Sequence, residues 1–100
     1  MFEFKEYLVF EEHEAAQTFG PIIIGARDQY KYHFPNGFGA SIVRGPGSYG
    51  YEEGLYELAV LKENAGEWNL CYSTEITDDV IAECTVDDIN AILKRIYELN

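Results

Sequence analysis

The stretch that decides the fold is FPNGFGASIVRGPGSYGYEEGLYELAVL, which runs from Phe34 to Leu61. It holds six of the nine glycines and two of the three prolines, interleaved with two apolar runs. Glycine and proline mark turns, whereas short runs rich in β-branched and aromatic residues are typical of strands. The stretch therefore predicts strands joined by tight connections, which is the pattern of an antiparallel sheet.

The firmest local prediction is a hairpin at Asn36-Gly37. Aromatic and polar residues alternate before it, over residues 30–34, and a second apolar segment follows it. Asn-Gly is the strongest short-range signal for a two-residue hairpin turn, because both residues tolerate positive φ. With Asn36 and Gly37 as the two central residues, the predicted cross-strand pairs are Tyr32 with Ser41 and Tyr30 with Val43.

Further strands are predicted on both sides of this hairpin. Residues 55–62 and 68–72 alternate and are separated by a turn at residues 63–67, so they extend the sheet as a meander. Residues 22–24 are three isoleucines bounded by proline and glycine, which predicts a short buried strand. Residues 2–10 begin with alternation and predict a strand, although Phe4, Tyr7 and Leu8 also fit a helix.

The C-terminal part changes to helical periodicity. Thr85 is suited to cap a helix, and two aspartates follow it in the first turn. A helix is therefore predicted from about Val86 to Glu98, and Thr77-Asp78-Asp79 looks like a second helix start. An apolar stripe marks the face that packs on the sheet, and its members are Ile89, Ile92, Leu93, Ile96 and Leu99.

Charge and composition narrow the class of protein. The net charge is −11, and residues 51–100 carry −9 of it, with twelve acids and three bases. Such a surface repels phosphate and disfavours direct binding of nucleic acid or anionic membranes, while basic partners or simple solubility remain. The N-terminus has acids where a signal peptide would be apolar, so a cytoplasmic location is expected. In that compartment Cys71 and Cys84 are expected to be unlinked thiols.

The sequence from Tyr32 to Leu61, followed by WNLCYSTEITDDV from Trp68, resembles a group of small uncharacterised proteins encoded by bacteriophages. The shared elements are FPNG-x-GAS, an SYG loop, ELAVL and ITDDV, and the match as a whole covers about two-thirds of the chain. The resemblance implies a phage origin and a setting in the host cytoplasm. It transfers no catalytic residue.

No catalytic, cofactor-binding or metal-binding residue is predicted. Residues 45–50 spell G-x-G-x-x-G, but a dinucleotide site requires that pattern to open a helix, and here a strand follows. The Glu-Glu-His-Glu run at residues 11–14 lacks the helical spacing of paired histidine ligands, so surface positions are favoured for it. Neither cysteine has a basic neighbour that would activate it as a nucleophile.

The candidate contact surface is the glycine-rich loop and the strand after it. Tyrosine is enriched at interface hot spots, and tyrosines in a glycine-rich loop are hard to bury. Carboxylates beside them would favour a basic partner. The predicted partner-binding residues are Tyr49, Tyr51, Glu52, Glu53 and Glu57.

These observations predict one α+β domain over residues 1–100, with four or five antiparallel strands and a C-terminal helix on one face. The favoured function is a non-enzymatic phage accessory protein that uses an acidic face against a basic host protein, such as a nucleic-acid-binding defence protein. One alternative is a phage structural or assembly protein that forms homodimers through its sheet edges. A small hydrolase is the third.

Overall fold

A computed structural model of the chain describes residues 2–46 and 53–100. It confirms the α+β class, since an antiparallel sheet carries one C-terminal helix on one face. The main sheet has six strands rather than four or five, and a separate two-stranded ribbon adds two more. The strands are β1 Leu8–His13, β2 Gln17–Phe19, β3 Ile22–Ile24, β4 Asp28–His33, β5 Phe38–Arg44, β6 Tyr56–Asn64, β7 Glu67–Leu70 and β8 Ile81–Cys84, and helix α1 is Val86–Tyr97.

The strand order is β1-β4-β5-β6-β7, with β8 also paired to β6. Strand β6 is long enough for two partners along one edge, because β7 pairs with residues 61–64 and β8 pairs near residues 56–58. The predicted turn between β6 and β7 narrows to Ala65-Gly66, where both residues have positive φ (54° and 84°). The strand predicted over residues 68–72 ends at Leu70 and does not include Tyr72.

The predicted hairpin at Asn36-Gly37 forms, but its predicted register is wrong by one residue. Tyr32 pairs with Ala40 rather than Ser41, and Tyr30 pairs with Ile42 rather than Val43. The loop has three residues, because the Phe34 and Phe38 backbones still pair (Phe34 N–H to Phe38 O, 2.8 Å) and Gly37 N–H returns to Phe34 O at 3.2 Å. A turn followed by a glycine at φ 84° is the usual three-residue hairpin. This register puts apolar residues opposite apolar residues on the core face, which the predicted one did not.

Asn36 joins this loop to the end of the helix. Its side-chain oxygen accepts from Phe38 N–H at 3.0 Å, while its Nδ2 lies 2.8–3.1 Å from the carbonyl oxygens of Ile96, Tyr97 and Leu99. The last carbonyls of a helix have no partner within the helix. One side chain therefore fixes the loop and satisfies the C-terminus of α1, 60 residues further along the chain.

The N-terminal segment differs from both of its predicted forms. Phe4 has a left-handed backbone (φ 59°), and a short 3-10 turn at Lys5–Tyr7 precedes β1. Phe2 is buried, where its ring makes edge contacts with Tyr30 and Tyr56 at 4.9 and 5.1 Å. Phe2 thus anchors this segment in the core, and only the part from Leu8 onward is a strand.

Strands β2 and β3 continue the β1–β4 pair outward as a ribbon. His13 pairs with Asp28, Glu14 N–H donates to Arg27 O at 2.8 Å, and Gln17 pairs with Ile24, all in one register. The prediction of a buried strand at residues 22–24 is wrong for Ile22, whose side chain is 59% exposed. The ribbon extends past the sheet, so the helix that buries the core does not reach its tip.

Helix α1 begins and ends where the sequence predicts. Thr85 and Asp88 form a reciprocal capping box, in which each side chain accepts from the other residue's backbone N–H (3.1 and 2.9 Å). Those hydrogen bonds lower the pKa of the Asp88 carboxyl. The second predicted helix start, at residues 77–79, is wrong: Thr77 and Asp79 form a local turn (Asp79 N–H to Thr77 Oγ1, 3.1 Å) that leads into β8.

The core lies between α1 and one face of the sheet. Ile89, Leu93 and Ile96 are fully buried and pack on β5, β6 and β8. The sheet contributes a mixed aromatic and aliphatic layer made of Tyr30, Tyr32, Phe34, Ala40, Ile42, Tyr56, Leu58 and Val60. Within the described residues, no helix has the length and apolar character needed to cross a membrane.

Candidate functional site

The sheet face opposite the helix is open. Because side chains alternate along a strand, Lys31 and His33 of β4 point away from the core face that holds Tyr30 and Tyr32. Large apolar side chains on this face remain accessible to solvent: Val9 is 56% exposed, Phe10 38% and Leu70 57%. No described element covers these side chains, so we call this the open face.

A groove of about 490 Å³ runs along the open face. Its floor is the stacked pair of Trp68 and His33, whose rings are parallel within 6° with centroids 3.8 Å apart. Residue 39 beneath the indole is glycine, and an added Cβ there would collide with the Tyr32 carbonyl oxygen and would lie 3.3 Å from the Trp68 ring. The groove is lined by Val9, Phe10, Gln29, Lys31, His33, Ser41, Leu61, Trp68, Asn69 and Leu70.

The groove lining is mixed and carries little charge, since five of its ten residues are apolar and five are polar. Burial lowers the pKa of His33, and the neighbouring Lys31 lowers it further, so the imidazole is neutral at physiological pH. Lys31 is its only charged side chain at neutral pH, and its ammonium lies 5.2 Å from the centre of the Phe10 ring. An uncharged peptide segment that carries both apolar and polar groups matches such a lining.

A second cluster lies at the base of the ribbon. His13 Nε2 is 2.6 Å from Glu11 Oε2, His13 Nδ1 is 2.6 Å from Asp28 Oδ1, and Arg44 Nη2 donates to Asp28 Oδ2 at 2.8 Å. Hydrogen bonds to Asp28 and then to Glu11 raise the pKa of His13. Burial raises the pKa of Asp28, but hydrogen bonds from His13 and Arg44 outweigh it, and the net shift is downward.

This cluster links neighbouring strands, and we call it the His13 clasp. Each ring nitrogen of His13 faces a different carboxylate, so both nitrogens must carry a proton to donate. The two carboxylates lie on opposite sides of the ring and do not converge on a common point. Within residues 2–46 and 53–100, no group of three His, Cys, Asp or Glu side chains is arranged to hold a metal ion. The clasp ties edge strand β1 to β4 and β5.

The predicted contact residues are only partly within the described chain. Tyr49, Tyr51 and Glu52 lie outside the described residues. Glu53 is exposed, and Glu57 is half-buried on β6, where it lines a cleft of about 360 Å³ with Arg27 and Arg44. Glu57 thus shares the lining of one cleft with two basic residues of its own chain.

A run of acidic residues that is longer than the predicted contact segment follows later in the chain. Residues 63–93 contain eight acids and no basic residue. Six of the acids fall within residues 75–88, the stretch around β8 and the start of α1, and all six are exposed. We call residues 75–88 the acidic segment.

Two of its six carboxylates are used locally, since Asp79 Oδ1 accepts from Val80 N–H at 2.7 Å and Asp88 caps the helix. The other four make no hydrogen bond or ion pair with any described residue, and they are Glu75, Asp78, Glu83 and Asp87.

The two cysteines are free, buried thiols that differ in environment. Cys71 Sγ lies 3.5 Å from Ser73 Oγ, and that hydrogen bond lowers the pKa of the Cys71 thiol. Burial raises the pKa of Cys84. Neither thiol has a histidine in contact with it among the described residues, so neither has a general base of the kind that activates catalytic cysteines.

Comparison with known proteins adds no further assignment. A scan of protein-family models found no match to this chain, and searches of curated proteins and of solved structures found none either. The resemblance to phage-encoded proteins stays a prediction from the sequence.

Proposed function

We propose that this protein is a non-enzymatic, phage-encoded accessory protein that binds a basic host protein in the host cytoplasm through its acidic segment. The observation that carries the proposal is the uninterrupted acidity of residues 63–93, seven of whose eight acids are exposed. Lys94 and Arg95 follow this run on α1, but no acid of residues 63–93 forms an ion pair with a described basic side chain. Every charged side chain of the acidic segment is therefore negative, and no ion pair with a described residue neutralises it.

The uncommitted carboxylates favour recognition over a purely local role. A carboxylate used for capping lowers the free energy of the fold, as Asp88 does. Glu75, Asp78 and Glu83 have no such use among the described residues, whereas Asp87 lies in the first turn of α1, where a negative charge is favourable. The mutual repulsion of these exposed carboxylates destabilises the fold slightly. A basic partner would relieve that repulsion and would be attracted over a distance of about 8 Å or more at physiological salt.

The class of partner follows from the charge pattern. Exposed carboxylates spaced along a surface can replace nucleic-acid phosphates against a basic groove. A nucleic-acid-binding host protein is therefore the natural target, and occupation of its groove would inhibit it. Direct binding of nucleic acid to the acidic segment is disfavoured because both surfaces carry negative charge.

The test is affinity capture from bacterial lysate with matched charge-reversal baits. One bait carries Glu75→Lys and Glu83→Lys, and the control bait carries Glu3→Lys and Glu6→Lys, so both change the net charge by the same amount. All four residues are exposed. We expect the wild-type and control baits to retain the same partner, eluted by salt, and the acidic-segment bait to lose it.

Two results would contradict the proposal. If both reversed baits lose the partner equally, net charge alone governs retention and the acidic segment has no special role. If no protein is retained at low salt by the wild-type bait, the acidity serves solubility.

A further inference from the structure

The outer part of the ribbon is free of charge. Residues 15–26, AAQTFGPIIIGA, contain no charged side chain in a chain of 100 residues that has 25. We call residues 15–26 the arm. Phe19 and Ile22 pair with each other across its tip and are 60% and 59% exposed. Exposed apolar side chains of this size on a projecting hairpin mark an interaction surface.

The arm is held firmly at its base. Glu14 N–H donates to Arg27 O, and Gly25 approaches the Ala15 carbonyl so closely that any side chain at residue 25 would collide with it. The His13 clasp lies directly below this point. The arm is therefore presented in a defined direction, which reduces the entropy that a partner must remove on binding.

The groove on the open face is the complementary surface of the same chain. Of the eight large apolar side chains that are exposed among the described residues, five lie either in the groove or at the arm tip. The arm carries no charge, and Lys31 is the groove's only charged side chain at neutral pH. Contact between arm and groove therefore adds no local like-charge repulsion to the long-range repulsion between two copies that each carry −11.

The arm cannot fill the groove of its own molecule. Phe10 lines the groove, and the ribbon runs away from it for nine residues to Phe19, a distance of about 30 Å in extended conformation. The pairing register carries on from β1 to β2 across residues 14–16, and Phe19 and Ile22 are exposed at the tip, so the arm does not lie in the groove of its own molecule. An arm that enters a groove must therefore come from a second copy.

We propose that two copies of this chain form a symmetric dimer in which the arm of each docks in the open-face groove of the other. The arrangement is isologous, so each contact occurs twice, and it goes beyond binding of a basic host protein by the acidic segment. It places Phe19 and Ile22 against Val9, Leu70 and the Trp68 floor.

Sedimentation velocity over a concentration series tests the dimer, with Trp68, the only tryptophan, as a second probe. We expect a concentration-dependent dimer, and an indole emission that shifts to longer wavelength on dilution as the groove empties. Truncating a large apolar contact weakens an equilibrium by about tenfold or more. Because each contact occurs twice, Phe19→Ser and Leu70→Ser should each weaken the dimer by about a hundredfold. Val80 is exposed but belongs to neither the arm nor the groove, so Val80→Ser should leave the dimer affinity unchanged.

A mixing experiment identifies the contact itself. The Phe19→Ser variant keeps an intact groove and the Leu70→Ser variant keeps an intact arm. An equimolar mixture can therefore form one native contact, which neither variant can form alone. We expect the mixed dimer to be tighter than either variant dimer. Both side chains are exposed, so the monomers should melt as the wild type does.

Three outcomes would overturn the proposal: a wild-type chain that stays monomeric at millimolar concentration, variants that dimerise as the wild type does, or a mixture that regains no affinity. Salt separates this surface from the acidic segment. Screening should strengthen a dimer of two chains of charge −11, whereas it should weaken binding to a basic partner.

Discussion

Asn36 gives the sharpest test of how the hairpin and the helix are held together. Its Nδ2 donates toward three carbonyl oxygens at the end of α1, and its Oδ1 accepts from Phe38 N–H. Two contacts with the α1 carbonyls are at part-buried positions, so water does not fully replace the amide once it is removed. The perturbations are Asn36→Ala, which removes the whole group, and Asn36→Asp, which keeps its shape.

The expected cost follows from the bonds lost. An amide NH₂ has two protons, so the three contacts amount to two hydrogen bonds, and the accepted bond from Phe38 makes three. At about 1 kcal/mol net for each bond, Asn36→Ala should lower the free energy of unfolding by about 2–3 kcal/mol. For a domain of this size that corresponds to about 10–20 °C in melting temperature.

Asn36→Asp should cost at least as much at pH 7, although it preserves the acceptor for Phe38. It places a negative charge against carbonyl oxygens at the negative end of the helix dipole. The fold therefore raises the pKa of the introduced carboxyl. Because the folded form then binds more protons than the unfolded form, the deficit should shrink as the pH falls from neutral toward about 4, the unfolded pKa, and should not change further below it.

Urea and thermal unfolding of both variants measure these costs, with Asn100→Asp, an exposed position at residue 100, as the charge-matched control. We expect the control to change stability by less than about 0.5 kcal/mol. If Asn36→Asp is as stable as the wild type at pH 7, the side chain does not hold the helix end as described.

Three further predictions concern separate parts of the fold. Ala65 has φ 54° in a two-residue turn before Gly66, so Ala65→Asn should stabilise the protein by about 0.5–1 kcal/mol in urea titration, and a loss would contradict the turn geometry. Ile96→Ala should cost about 2–5 kcal/mol by the same assay, whereas Lys94→Ala should be nearly silent; equal losses would mean that the helix face is misassigned. The pKa of His33 is lowered, and its ring stacks on the only tryptophan. Indole fluorescence should therefore be quenched only as the pH falls below the usual histidine range. The contribution of neutral His33 to stability is complete above about pH 6.5 and should be lost over that same window. Quenching centred above that range would contradict the burial of His33.

The sequence was sufficient for the elements whose signals are local. Thr85 and the apolar stripe after it define α1 at both ends, because a cap and a 3.6-residue period are read over about a dozen residues. The register of the Asn36 hairpin was also available in the sequence. A register in which aromatic residues meet apolar ones on one face sets Tyr32 opposite Ala40 rather than Ser41.

Other features depend on contacts between distant parts of the chain. No local pattern in residues 2–7 predicts that Phe2 is buried, because the side chains that contact it, Tyr30 and Tyr56, lie far away in the sequence. The apolar run at residues 22–24 predicts burial, and only the topology shows that this strand projects past the sheet. The open-face groove had one signal in the sequence: the alternation of Trp68 and Leu70 in a strand, which indicates an apolar face but not whether a helix covers it.

The rate of association with the captured host partner, measured against salt concentration, tests the proposed recognition by the acidic segment most directly. If the acidic segment guides binding, the rate should fall steeply between low and physiological salt, where the Debye length shortens to about 8 Å. The Glu75→Lys, Glu83→Lys variant should bind more slowly with a shallower salt dependence, while the Glu3→Lys, Glu6→Lys variant should retain most of the wild-type rate. A rate that does not change with salt, or two variants that slow equally, would contradict recognition by the acidic segment.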